Sequence, residues 1–362
     1  MAPCDNQGQT GIGPGSPSPR GFTLVEVLVV VTIIVILIGI LLPALSASRA
    51  STRKAATTSL MSGVSAAIQQ FRVERDRQPG YFTQQQMGQQ ANETVGLTQM
   101  ENAILELAGG TLAEFPSGNR DNLIVITLTS QPGDSVIVDL TKIGASDGPG
   151  YLSLGADVLR AVEGQYHGAA GGGDQGTGGN QAPNIARMPD IVDPFNMPLM
   201  LWTKNTLAGS NPDFARMNAD GGRALFYWSS NAGYLRAIQL GRDKRDQAHF
   251  SVLGRRPAGG FNPGYPQASN TDIVSSMQAL LGHPDLPKPT NSGSADDPDL
   301  EPSAPLADAV LHSAGVDGYF LGNDARRLRN QALLRANYQR NGSVPARSKP
   351  IDRFDDITVP AG

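Results

Sequence analysis

From Phe22 to Leu42 the chain reads FTLVEVLVVVTIIVILIGILL, and Glu26 is the one charge in that run. As a helix rising about 1.5 Å per residue, the segment spans roughly 30 Å, the thickness of the hydrocarbon core of a bilayer. Val and Ile dominate it, and in water they lean towards strand. The run has no polar face, and a backbone in lipid must satisfy its own hydrogen bonds, so a membrane helix is the expected structure.

A cleaved secretory signal is the competing reading. Such signals have an apolar region of about 7–15 residues followed by a small-residue cleavage site, and Ala44-Leu45-Ser46 passes as such a site. The greater length of the run and the carboxylate inside it argue the other way. A charge near mid-membrane costs on the order of 3 kcal/mol and is normally kept only with a partner or near an interface. Glu26 therefore either pairs with something or snorkels to a membrane face.

The residues around the start of the run are more specific. Arg20-Gly21-Phe22-Thr23-Leu24-Val25-Glu26, followed by the apolar stretch and Pro43, resembles the processing motif of type IV pilins and type II secretion pseudopilins. The resemblance implies cleavage after Gly21 by a prepilin peptidase/methyltransferase, and methylation of the new amino group on Phe22. It also implies assembly roles for Glu26 and Pro43, with other pilin-like subunits as partners and with an assembly platform and ATPase acting indirectly. The chemistry fits each position. Gly21 lets a protease approach the backbone closely. Glu26 and the amino terminus of a neighbouring subunit are each costly alone in lipid and tolerable as a pair. Pro43 removes a backbone donor and clashes one turn back, which is expected to bend or locally melt the helix.

Four regions follow. Residues 1–21 form a Gly/Pro/Ser-rich leader, residues 22–42 the transmembrane and assembly helix, residues 43–78 an amphipathic stem, and residues 79–362 a head. Apolar residues in the stem recur at Leu60, Met61, Val64, Ile68 and Phe71, one face of a helix that should stop near Gln78 before Pro79-Gly80. The cluster Arg49, Arg53 and Lys54 suits either anionic lipid headgroups or a solvated face. These bases lie on the far side of the apolar run, so charge does not set the orientation. A cytoplasmic leader, an inner-membrane anchor and an extracytoplasmic head in a periplasmic or surface filament rest on the resemblance.

Strand-like runs in the head include residues 123–128, 136–138, 199–202, 224–228, 234–240 and 250–253. The first two flank Gln131-Pro132-Gly133-Asp134 and predict an antiparallel hairpin. Helices are expected near residues 98–107, 272–281 and 324–338, and loops at 164–188, 254–267 and 283–305. The expected fold class is α+β: a long N-terminal helix, half membrane-spanning and half amphipathic, packed on an antiparallel-sheet head, as in pilins.

Two head motifs extend the resemblance. Asp193-Pro194-Phe195-Asn196-Met197-Pro198-Leu199 is similar to the D-P-aromatic-G-x-P turn of major pseudopilins, with Asn196 where Gly is usual; Asn tolerates positive φ. Ser313-Ala314-Gly315-Val316-Asp317-Gly318 and Phe354-Asp355-Asp356-Ile357 resemble the terminal elements of that group, here separated by residues 319–353. The resemblance implies calcium at Asp317, Asp355 and Asp356, which are hard oxygen ligands of the right type. Asp-Gly and Asp-Asp also simply mark turns and caps.

The single cysteine, Cys4, falls in the leader, so the head has no intramolecular disulfide. The net charge of -4 gives no basic excess, and no nucleic-acid partner is expected. His167, His249, His283 and His312 form no H-x-x-x-H or H-E-x-x-H pattern, and no enzyme is expected. The favoured function is a filament subunit. A membrane-anchored binding or adhesion protein outside any filament, and a secreted protein with a cleaved signal, are the alternatives.

Overall fold

The computed structural model describes residues 23–87, 97–118, 120–128, 135–145, 150–155, 157–160, 187–204, 226–227, 231, 249–251, 281–283, 287–294, 297–302, 305–316, 320, 322–324, 338–341, 344–347 and 356–362. The chain divides between Ser51 and Thr52 into two compact units. Helix α1 is Leu24–Arg75.

In the first unit, α1 is apolar on every side, and its Leu, Val and Ile side chains are exposed from Leu24 (79 %) to Leu42 (62 %). A helix that is apolar all round with its side chains exposed has the profile of a membrane span. It also meets the length and hydropathy requirement for one. The helix runs through Pro43 without a break. Local melting there, one of the two expected outcomes, does not occur. Pro43 withdraws one donor from the ladder, and the turns on either side carry the helix on.

In the second unit, α1 buries Thr57, Met61, Val64, Ser65, Ala67, Ile68 and Phe71, and Leu60 is partly buried against the same core. This is the expected face. Each large side chain so buried contributes about 1.5–3 kcal/mol. The helix ends three residues before Gln78, because Asp76 adopts the left-handed conformation (φ 54°), which a short polar side chain tolerates. A short helix α2 (Gln84–Met87) follows. Helix α3 (Gln99–Leu107) starts with a full capping box in which Thr98 and Glu101 bond each other's backbone N–H. Its Met100, Ile104, Leu105 and Leu107 enter the core.

Two sheets complete the core. In the first, the order is β1 (Thr111–Leu112), β3 (Ser135–Asp139), β2 (Leu123–Thr127), all antiparallel. The hairpin expected from residues 123–138 is β2–β3, with Ile124 opposite Val138 and Ile126 opposite Val136. These four side chains alternate inwards, as a half-buried pleat requires. In the second, the order is β15 (Ile357–Ala361), β11 (Ala309–Ser313), β6 (Met200–Lys204), β7 (Phe226–Tyr227), again antiparallel. The stem is tied to this sheet by Ser65 Oγ donating to the Pro360 carbonyl at 2.9 Å. Arg72 Nη2 also meets Asp308 Oδ2 at 2.6 Å.

Smaller pairs are β4 (Leu159–Arg160) with β5 (Asp190–Ile191), β8 (His249–Ser251) with β12 (Gly322–Asp324), β13 (Tyr338–Asn341) with β14 (Val344–Arg347), and β9 (Pro287–Ser294) with β10 (Asp297–Pro302). The last pair corrects the expectation of a loop over residues 283–305. Proline fixes φ in the extended range, so a Pro-rich stretch is compatible with a ladder where the partner's donors and acceptors allow it. The pairing is irregular between Pro298 and Leu300. The strands expected at 224–228 and 250–253 are seen as the shorter β7 and β8. The expected strand 234–240, most of the helices at 272–281 and 324–338, the loop 254–267 and nearly all of the loop 164–188 lie outside the described residues.

Candidate functional site

Two places in the structure hold the residues that the sequence singles out. The first is the amino end of α1. Gly21 and Phe22 lie outside the described residues. Thr23 directly follows them and caps the helix. Its backbone N–H donates to Glu26 Oε2 at 2.8 Å, its hydroxyl donates to the same oxygen at 2.9 Å, and Glu26 N–H donates to Thr23 Oγ1 at 3.2 Å. This reciprocal pattern is a capping box. It turns the Glu26 carboxylate back along the helix, towards Thr23. The carboxylate satisfies donors that a helix start would otherwise leave bare, and it stands where the macrodipole favours negative charge. Its neighbours Leu24, Val25 and Val27 are exposed.

The second place is where β6, β11 and β15 meet. Asp193 opens a tight turn: its Oδ1 accepts from the backbone N–H of Phe195 and of Met197, each at 2.9 Å. The backbone closes the turn with Asn196 N to Asp193 O and Asp193 N to Met197 O, both at 2.8 Å. Asn196 sits at φ 69°, the positive-φ position where the resemblance puts Gly. The other oxygen, Asp193 Oδ2, accepts from Ser313 Oγ at 2.5 Å, and Ser313 Oγ accepts from Gly315 N–H at 3.1 Å. Burial pushes the Asp193 carboxyl above its ordinary range, against the lowering pull of the bonds from Ser313, Met197 and Phe195.

One residue earlier on β11, His312 is fully buried. Trp202 Nε1 donates to His312 Nδ1 at 3.2 Å, and His312 Nε2 lies 2.5 Å from Asp356 Oδ2. The Phe320 ring meets the imidazole edge-on, with centroids 4.9 Å apart. Neighbouring residues of one strand thus each hold a buried carboxylate from a distant part of the chain. The structure brings together the three head motifs that the sequence spaces far apart: Ser313 pairs with Ile357 in the ladder, so residues 314–356 leave and return at adjacent points.

The calcium expectation meets this geometry at one residue. Asp317 and Asp355 lie outside the described residues. Asp356 is 3 % exposed and presents its carboxylate to an imidazole. A calcium ion needs 6–8 oxygen ligands at about 2.3–2.6 Å, and among the described residues no group of three or more His, Cys, Asp or Glu could hold a metal. Asp356 Oδ2 is already engaged by His312 Nε2. The sequence reading gave Trp202 and His312 no site role. A histidine directly before the Ser313 motif on an apolar strand was the signal, and its partners lie 110 and 44 residues away.

In comparison with known protein families, residues 17–42 fit the model described as the prokaryotic N-terminal methylation motif. No curated protein and no solved structure matches the chain. The matched segment contains Gly21, Phe22, the Thr23–Glu26 box and the apolar run, so the chain carries a prepilin-type N-terminus on an apolar helix of membrane-spanning length.

Proposed function

We propose that this protein is a pilin-like structural subunit, a pseudopilin of a type II secretion-like or type IV pilus-like filament, cut after Gly21 and N-methylated on Phe22. The observation that carries the reading is the methylation motif over residues 17–42, sitting at the start of a helix whose apolar surface is exposed throughout its first unit. In the membrane, lipid covers that surface. In a filament, the same surfaces of neighbouring subunits cover each other. Head-to-tail stacking of this kind gives an open helical assembly rather than a closed ring.

Glu26 supplies the register. Its carboxylate already faces the amino end of its own helix through Thr23, where the methylated ammonium of a neighbouring subunit would complete a charge pair. Within lipid, such a pair relieves two costs at once. The head stays outside the cytoplasm and the anchor lies in the inner membrane. An assembly platform and its ATPase lift the subunit out of lipid. The protein's role is structural, with no catalytic step of its own.

The test replaces Glu26 by Ala in the full chain in its native host. The variant is expected to insert into the membrane and to be processed, while filament incorporation falls by at least tenfold. Normal filaments from the variant would refute the pairing role.

A further inference from the structure

We infer that the C-terminal strand of the head is closed by a buried Trp202–His312–Asp356 hydrogen-bond relay, and that Asp356 serves as its terminal acceptor rather than as a ligand for a divalent cation.

The need for a closing device follows from topology. Among the described residues β15 is an edge strand, paired to β11 alone. Residues 314–356 separate the two strands, so nothing local in the sequence brings them together. The head has no cysteine to staple them. The last rung of the ladder pairs Ser313 with Ile357, and Asp356 is the first residue beyond it.

The relay crosses the sheet at that point. Trp202 lies opposite Val310 on β11, and His312 is two residues further on. His312 lies opposite Thr358 on β15, and Asp356 is two residues before it. Trp202 and His312 thus occupy diagonal positions on neighbouring strands, and Asp356, just before β15, continues the diagonal, a spacing that long and aromatic side chains can bridge. Trp202 and His312 are fully buried, and Asp356 nearly so.

Donor chemistry fixes the direction of the relay. An indole N–H only donates, so His312 Nδ1 accepts and the ring hydrogen is on Nε2. Nε2–H therefore donates to Asp356 Oδ2. A second ring hydrogen on Nδ1 would face the Trp202 N–H, donor against donor. The His312–Asp356 contact is thus a charge-assisted hydrogen bond donated by a neutral ring. A cation at Asp356 Oδ2 would have to displace that N–H and leave it buried without an acceptor, which is costly.

The full-length protein in detergent tests this with two readouts. The first is the imidazole N–H signal in [15N]His-labelled protein, assigned to His312 by its loss in His312→Gln. The relay predicts a hydrogen on Nε2, with its resonance strongly downfield, present in EDTA and unmoved by CaCl2, and displaced in Trp202→Phe. The second is the melting temperature. EDTA and CaCl2 should leave the wild type within 1 °C of itself, while Asp356→Asn and Trp202→Phe should each melt roughly 5 °C lower, by the same amount with and without calcium. A ring hydrogen on Nδ1, a His312 signal that shifts with calcium, or a calcium-dependent rise in melting temperature lost in Asp356→Asn would each overturn the inference. If Asp356→Asn does not fold, the wild-type tautomer and Trp202→Phe still decide it. Neither readout depends on filament formation, so the relay and the proposed function stand or fall separately.

Discussion

Asp193 offers a quantitative test of how the head is held together. Its carboxylate accepts from three donors: the N–H of Phe195, the N–H of Met197 and the hydroxyl of Ser313. Asp193→Ala leaves all three without that acceptor in a site that is 2 % exposed at Asp193. An orphaned buried donor costs about 1–3 kcal/mol, and the three share one site, so a total of about 3–6 kcal/mol is expected. At roughly 2–4 °C per kcal/mol for a domain of this class, the melting temperature falls by about 10 °C. Asp193→Asn keeps the Oδ1 acceptor for the two backbone bonds, and the Ser313 hydroxyl can rotate to accept from the new amide, so its cost at neutral pH is about 1 kcal/mol.

The pH dependence sharpens the contrast. The folded-state carboxyl titrates above its ordinary range because of burial, so the folded state holds its proton to higher pH than the unfolded chain does. Stability from this group is fully present below the unfolded value of about 3.9. It is lost as pH rises through the folded value, at about 1.4 kcal/mol per unit of displacement. Asn does not titrate, so the penalty of Asp193→Asn should be largest near pH 4 and shrink towards pH 7. Thermal melts of wild type and both variants across that range give the answer. A penalty for Asp193→Asn that grows with pH, or an Asp193→Ala variant within 2 °C of wild type, would refute the reasoning.

Three further outcomes are expected. Ile68→Ala removes a fully buried stem side chain and should cost about 2–5 kcal/mol in denaturant melts, whereas the exposed Val73→Ala should cost less than about 0.5 kcal/mol. Asn196→Gly should be nearly neutral, and Asn196→Val should lose about 1–2 kcal/mol, because φ is 69° there and a β-branched residue is strained at positive φ. Thr98→Ala breaks the α3 capping box and should cost about 1 kcal/mol, read as earlier loss of helical circular dichroism.

Local pattern made much of this structure legible. Met61, Val64, Ile68 and Phe71 repeat at helical spacing and are all buried. The residues around Gln131–Asp134 announce a turn, and β2 and β3 pair on either side of it. The 193–199 turn is written in its own side chains, down to the positive φ of Asn196. What pattern hides is of two kinds. Contacts such as Trp202–His312–Asp356 join residues far apart, and periodicity says nothing about which distant side chains meet. A residue with two roles is read for the louder one. Thr23-x-x-Glu26 before an apolar run is a capping-box signature, yet a lone acid in a membrane segment draws the eye to pairing with a neighbour. The β9–β10 ladder was missed because its Pro and Asp content reads as loop, although proline's φ is already extended.

The proposed function turns on the chemistry of one terminus, and intact-mass and N-terminal tandem mass spectrometry of the protein purified from its native membrane measures it directly. A chain beginning at N-methyl-Phe22 is the expected result. A start near Ala47 would establish cleavage as a secretory signal, an intact Met1 would establish an unprocessed anchor, and either would contradict the pilin reading.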